Sequence, residues 1–386
     1  MVILILSRIF KPVIGGDAIF LDMLSRYLIS RGHKVKVITF QPLTYTVAVR
    51  CPIIQRESGL EIYRAYFPLV RTLFPILSRK ASKSLIASLA LGSLIYLPIF
   101  IYTLFIVLKN RKEISVIHAN EVPTGLIAAM FGKLIHRRSI LTLHGTYDID
   151  KSSFEAKLIG KIVNLVDLVM VLSERSRSEM ESFGVSSTKL RKYRYWIDLN
   201  KFRPLNKEEC KRSIGLEGKF TVLFAGKLVS RKGVKLIVEL AKRMKDVHFI
   251  ICGTGPLSEW IKREAKILPT LSFYGAIPNE KMPLYYNASD IVVVPSLYEE
   301  GWGRVVMEAL ACGVPVIASK RGALPELVNP KVGLVVEPLI ENLLKAITFL
   351  KSSPDFLKKL RLESRKYALK YFSEKNAEII YNAYFA

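Results

Sequence analysis

Apolar β-like runs that alternate with helical patterns constrain this 386-residue chain more than any other feature. The first half carries "VILILS", "KVKVITF", "SVIHAN", "SILTLHG" and "LVMVLS"; the second carries "FTVLFAGKL", "VHFIICGTG", "LSFYGAI", "DIVVVPS", "PVIAS" and "GLVVE". Each has strand length, and most are too uniformly apolar to leave one face wet. Strands of this kind are buried on both sides, which requires helices on both faces of a parallel sheet. Between the two series lies a basic, irregular stretch, "SSTKLRKYRYWIDLNKFRPLNKEECKRS", where periodicity lapses and Pro204 interrupts. It reads as a connection between two domains, and the length suits two domains of ordinary size. Ligands of doubly wound sheets bind outside the carboxyl ends of the strands. Two such domains in series are therefore expected to face each other across a cleft.

Composition narrows the partners. There are 58 Lys and Arg against 33 Asp and Glu, a net charge of +25, so an anionic partner is expected: a nucleotide, a phospholipid headgroup, a lipid phosphate or a nucleic acid. The four cysteines, Cys51, Cys210, Cys252 and Cys312, are far apart and form no CxxC pair, which argues against a disulfide framework or a structural zinc and suits a reducing cytosol. The start, "MVILILSRIF", runs into a glycine turn with no n-region or cleavage site. It reads as a first strand rather than a signal peptide.

One segment stands apart: Ser84 to Leu108, "SLIASLALGSLIYLPIFIYTLFIVL", has no charge between Lys83 and Lys109. As a helix it would reach about 37 Å, enough to cross a bilayer. A single crossing would put the strands before and after it on opposite sides of the membrane. Two readings survive: a long or Pro98-broken helical element that dips into one leaflet, and a buried core helix. The basic flank Arg71, Arg79, Lys80 and Lys83, with Tyr96 and Tyr102 inside the run, favours an interfacial element on an anionic surface.

The stretch "PSLYEEGWGRVVMEALACGVPVIAS", residues 295–319, sets Glu300 and Glu308 on either side of a glycine turn that opens a helix. Gly301 and Gly303 let a ligand approach the backbone, and the N–H groups of the helix start favour an anion. A bare anion would not call for two carboxylates. A ligand with both phosphates and sugar hydroxyls would, because carboxylates accept from hydroxyls while cations and N–H groups hold phosphate. Glu299 reads as an idle surface charge.

The E-x7-E spacing in this stretch resembles the donor-site signature of the retaining glycosyltransferases of family 4, which have the GT-B architecture. That resemblance implies an α/β fold of two doubly wound, Rossmann-like domains: 1–198 on the acceptor side, 199–366 for the nucleotide sugar, and a terminal helix at 367–386 that packs back on the first domain. In "FAGKLVSRKG" it implies that Lys232 binds the diphosphate. The family usually has Gly-Arg where this chain has Gly226-Lys227, so Lys227 or Arg231 would supply the second phosphate contact. Gly15 and Gly16, in "KPVIGGDAIF", resemble the N-terminal glycine loop, and "LTLHG" the segment whose histidine, here His144, lies at the reacting centre. "ICGTGP", with Gly253 and Gly255, and "FYGAI", with Ile277, match loops beside the nucleotide. Gly301, Trp302, Gly303 and Arg304 complete the donor loop. Where the family often shows Asn-Gly-Val-Asp, this chain has "YRYWIDLNKFRP"; Asp198, Phe202 and Pro204 remain. His118, which also ends a strand, reads as structural.

The implied reaction moves a sugar from a UDP- or GDP-sugar with retention at the anomeric carbon. Glu300 holds sugar hydroxyls, Glu308 holds the ribose, and no metal or other cofactor is expected. The 84–108 segment points to a lipid-linked or glycolipid acceptor, an anionic membrane surface as partner, and a peripheral or monotopic place on the cytoplasmic face. Three rivals stand beside this reading. The first is a soluble GT-B enzyme, an epimerase or glycoside synthase. The second is a basic nucleic-acid-binding protein, disfavoured because the best-placed cations lie at βα turns rather than along a continuous face with interleaved aromatics. The third is an inactive scaffold, which the joint presence of Glu300, Glu308, Lys232 and His144 disfavours.

Overall fold

A computed structural model describes residues 1–13, 15–42, 50–65 and 85–385. The basic flank Arg71, Arg79, Lys80 and Lys83, and Ser84, lie outside the described residues, as do the side chains of residues 85–94. Eight strands form the first sheet: β1 (Val2–Leu6), β2 (Lys34–Phe40), β3 (Ile54–Glu57), β4 (Leu60–Ala65), β5 (Ile114–Ala119), β6 (Arg138–Leu143), β7 (Leu168–Val171) and β8 (Leu190–Lys192). Their order is β3-β4-β2-β1-β5-β6-β7-β8. Every pair is parallel except β3 with β4. β1 is buried at all five positions and sits centrally, with Ile3 in register with Val35 on one side and Val116 on the other.

A second sheet contains β9 (Thr221–Ala225), β10 (His248–Cys252), β11 (Leu271–Gly275), β12 (Ile291–Val294), β13 (Val316–Ser319) and β14 (Gly333–Val336), all parallel, in the order β11-β10-β9-β12-β13-β14. Counted within the domain this is 3-2-1-4-5-6, the doubly wound order in which the winding reverses between the first and fourth strands. Here the reversal falls between β9 and β12. In the first sheet it falls between β1 and β5.

The chain divides into one unit of Met1–Tyr193 with Ala377–Ala386 and another of Arg194–Asn376. The division lies five residues before the expected 198, inside the irregular stretch, because β8 still pairs with β7. The long helix Pro354–Tyr371 stays with the second unit, so only the last ten residues, rather than 367–386, join the first. Within the first unit the terminal helix Ala377–Phe385 is tied at three levels. Arg31 pairs with Glu378 at 3.0 Å and lies over the rings of Tyr27 and Tyr381. His33 Nε2 meets the Tyr381 hydroxyl at 3.3 Å. The Tyr384 hydroxyl reaches His118 Nδ1 at 2.6 Å, and His118 Nε2 meets Thr142 Oγ1 at 2.6 Å. His118 is fully buried, and burial pulls its pKa down to about 3.

The uncharged segment forms one helix, Leu85–Asn110, continuous through Pro98. It is neither a broken pair nor wholly buried. Ile99, Thr103, Ile106 and Val107 face the core, while Leu97, Ile101, Leu104, Phe105 and Leu108 are exposed. Those exposed positions recur at helical spacing and make a stripe. The neighbouring helix Val122–Leu134 packs beside it, with Phe100 and Phe131 rings 5.1 Å apart, and adds exposed Met130 and Leu134. Lys109 lies in the last turn of the first helix with Arg111 and Lys112 just beyond it, and Lys133 lies in the last turn of the second. Among the described residues no helix is long and apolar enough to cross a membrane.

Candidate active site

At the β9/β12 reversal two loops are stitched together. Gly233 adopts φ +74°, and a Cβ there would lie 1.9 Å from the Pro295 carbonyl oxygen, so the loop after β9 can press against the loop after β12 only with glycine at this position. Leu297 N–H donates to the Arg231 carbonyl at 2.8 Å. This close approach brings Lys232 to Glu300: Nζ donates to Oε1 at 2.5 Å. Ser296 Oγ donates to the same oxygen at 2.5 Å, and the Tyr298 hydroxyl donates to Oε2 at 2.9 Å. Glu300 is 7% exposed, so its charge is compensated rather than hydrated. Burial lowers the Lys232 pKa, but Glu300 and Tyr298 more than offset this and leave it raised. Lys232 is a cation throughout the physiological range.

Glu308 sits in the helix Arg304–Ala311, which starts at Gly303 and is closed by Gly313 at φ +71°. It is 5% exposed, accepts from the Tyr286 hydroxyl at 2.8 Å on Oε2 and from Arg304 Nε at 2.8 Å on Oε1. Trp302 is turned inward, 6% exposed, with its N–H on Met307 sulfur at 3.2 Å. Glu299 is not idle: its carboxylate accepts from Gly322 N–H, while Ala323 N–H donates to the Glu300 carbonyl at 2.9 Å. The donor loop is thus fastened to the segment after β13. Lys227, Gly253 and Ile277 follow the carboxyl ends of the parallel strands β9, β10 and β11, with Gly255 two residues on and Lys227 and Arg231 exposed.

In the first unit His144 follows β6 and Gly16 opens the helix Gly16–Ser30. His144 Nε2 meets Asn120 Oδ1 at 3.2 Å and Nδ1 meets the Tyr193 hydroxyl at 3.1 Å; Phe20 packs edge-on at 5.4 Å. The Asn120 amide N–H donates to the Leu6 carbonyl at 3.3 Å, so its oxygen is the atom turned to His144. An amide oxygen only accepts, which puts the imidazole proton on Nε2 and leaves Nδ1 to accept from Tyr193. Burial lowers the His144 pKa, partly opposed by Asp17. Nearby, Glu121 starts the helix after β5 and accepts from Arg8 N–H with both oxygens at 3.2 Å; burial pushes its pKa up to about 7.

Lys232, Glu300, Glu308, Arg304 and His144 all carry defined polar contacts. Sequence reasoning missed Ser296, Tyr298, Tyr286, Asn120 and Tyr193. Four of the five lie in or beside the quoted runs "DIVVVPS", "SVIHAN" and "YRYWIDLNKFRP", and a polar residue directly after a buried strand was the available signal.

Two family descriptions match the chain: Glycosyltransferase Family 4 over residues 14–201 and Glycosyl transferases group 1 over residues 206–370. A GDP-mannose-dependent alpha-(1-6)-phosphatidylinositol monomannoside mannosyltransferase of Mycolicibacterium smegmatis is 30% identical, over 56% of this chain and 61% of its own length. A phosphatidylinositol N-acetylglucosaminyltransferase subunit of Arabidopsis thaliana is 23% identical, over 89% and 73%. Among solved structures, sucrose-phosphate synthase of Thermosynechococcus elongatus superposes with a TM-score of 0.79 at 22% identity, over 99% of this chain and 98% of that one. HepE of Anabaena in complex with UDP-glucose does so at 0.74 and 19%, over 100% of both. With the doubly wound sheets on one side and both matched halves on the other, the chain belongs to family 4 of the glycosyltransferases and has the GT-B architecture.

Proposed function

We propose that the protein transfers a sugar, with retention, from a UDP- or GDP-sugar to a lipid-linked or membrane glycolipid acceptor, without a metal, as a peripheral protein of the cytoplasmic membrane face. The observation that supports this reading is the Lys232–Glu300 pair at the winding reversal of the second sheet, 2.5 Å apart, in which the cation is assigned to the diphosphate and the carboxylate to sugar hydroxyls. Lys232, with Lys227 or Arg231, stabilises the negative charge that grows on the leaving diphosphate, and the helix starts at Gly16 and Gly303 add N–H groups. Glu300 binds hydroxyls of the donor sugar and Glu308 those of the ribose. The bond from the anomeric carbon to the diphosphate oxygen breaks, the bond to the acceptor oxygen forms on the same face, and the departing phosphate takes the acceptor proton. His144, its proton held on Nε2 by Asn120, positions donor and acceptor and does not take that proton.

The acceptor class is supported by two relatives whose names specify phosphatidylinositol-based acceptors or products, and by the apolar stripe Leu97, Ile101, Leu104, Phe105 and Leu108, which is followed directly by Lys109, Arg111 and Lys112. Such a surface suits the boundary of an anionic bilayer. The test is to incubate the protein with host membranes and labelled UDP- and GDP-sugars, with Glu300→Gln as the blank, and count label in the organic phase. Label from one donor that vanishes in the blank is the expected result. Label confined to a water-soluble product would overturn the lipid acceptor and keep the transferase.

A further inference from the structure

Tyr298 has no role in the reaction as described, yet it touches three groups assigned to the donor. Its hydroxyl donates to Glu300 Oε2 at 2.9 Å. Its ring centre lies 4.7 Å from the Arg231 guanidinium and 5.2 Å from the Lys232 ammonium, within cation–π range. A carboxylate offers about four acceptor positions. On Glu300, Lys232 and Ser296 occupy Oε1 and Tyr298 occupies one position on Oε2. The cation meant for phosphate and the carboxylate meant for sugar therefore satisfy each other until a donor separates them.

We propose that Tyr298 is the positioning residue that makes this separation productive. As Lys232 turns to the diphosphate, the Tyr298 and Ser296 hydroxyls keep the Glu300 carboxylate fixed, now with one acceptor position open on each oxygen, the arrangement a vicinal pair of hydroxyls needs. The Tyr298 ring meanwhile backs Arg231 and Lys232, so that phosphate binding and the exposure of the sugar site become one event. Hydroxyl and ring thus have separable jobs: the first belongs to the sugar, the second to the diphosphate. This inference rests on the donor-site reading above.

The experiment compares Tyr298→Phe, Tyr298→Leu and Glu300→Gln with the wild-type chain. Calorimetric titrations with UDP, UDP-glucose, GDP and GDP-mannose give affinities, turnover is followed with the donor that labels membranes, and melting temperature is recorded for each. Tyr298→Phe keeps the ring and is expected to bind the nucleotide diphosphate within about twofold of wild type. Its ratio of nucleotide-sugar to nucleotide affinity, and its kcat, should fall about tenfold, as for loss of one hydrogen bond to a charged group. Tyr298→Leu should show both losses and bind the nucleotide diphosphate a further three- to tenfold or so more weakly. A purely structural role would lower the melting temperature without changing that ratio, and that result overturns the proposal. Equal nucleotide binding by the Phe and Leu variants removes the ring's part. Full turnover by Glu300→Gln overturns the donor-site reading and the inference with it, whereas an inactive Glu300→Gln beside an unimpaired Tyr298→Phe overturns the inference alone.

Discussion

The backbone under Glu300 is as restrictive as its side chain. Gly322 has φ +57°, and a Cβ there would lie 2.1 Å from the Glu300 carbonyl oxygen and 2.4 Å from its nitrogen. Gly322→Ala cannot fit without moving the donor loop, so it should lower stability by about 1–3 kcal/mol and abolish transfer. Urea unfolding together with turnover checks this, and a variant with wild-type values in both would show that the loop yields. Glu308 invites a different test. Glu308→Gln keeps one acceptor oxygen for the Tyr286 hydroxyl but loses the charge, and should weaken nucleotide diphosphate binding about tenfold while kcat at saturating donor changes little. A large fall in kcat with unchanged nucleotide affinity would contradict the ribose assignment. The charged members of the site were legible because Lys232, Glu300 and Glu308 stand at fixed spacings around glycine turns. Tyr298, Tyr286, Asn120 and Tyr193 were not, since a hydroxyl or amide becomes a site residue only when the fold chooses its partner: Asn120 acquires its role from the Leu6 carbonyl on one side and His144 on the other.

Among the elements, the terminal helix and the apolar helix make opposite demands. Tyr384→Phe leaves His118 Nδ1 without its 2.6 Å partner in a dry interior and should cost about 1–3 kcal/mol; a denaturation midpoint within error of wild type would show that the helix is held by packing alone. Phe105→Ser with Leu108→Ser, at positions 60% and 66% exposed, should leave the melting temperature unchanged yet reduce co-sedimentation with phosphatidylglycerol vesicles severalfold. A drop in melting temperature instead would mean that protein covers this stripe. Most parallel strands were legible because they are buried on both faces and therefore written in Val, Ile and Leu; the parallel edge strand β8, "LRK", was not. The β3–β4 hairpin was not: "IQRE" at the sheet edge is largely exposed and has no apolar run to find. Nor did hydrophobicity alone reveal that residues 97–108 are part in the core and part out, because both faces of that stretch of helix are apolar.

For the molecule as a whole, the histidines set the response to acid. In the unfolded chain they take up protons near pH 6.5, whereas in the fold burial holds His118 down to about 3 and His248 to about 4, and lowers His144 and His33 as well. The unfolded state then binds more protons below pH 6.5, so stability present above that pH is lost as the pH falls, by about 2 kcal/mol at pH 5 for a histidine that stays neutral. Glu121, raised to about 7, opposes this over the same range, one carboxyl against four imidazoles. The urea midpoint should therefore drop between pH 7 and pH 5, with a shallower slope in His118→Gln; a flat profile would refute the balance. One further consequence follows from the path of the chain. Because the polypeptide leaves the first unit at Tyr193 and returns at Ala377, the second unit is, in sequence, an insertion into the first. On the ribosome the unit begun first is closed last: every residue of the second unit must be made before Tyr384 can reach His118.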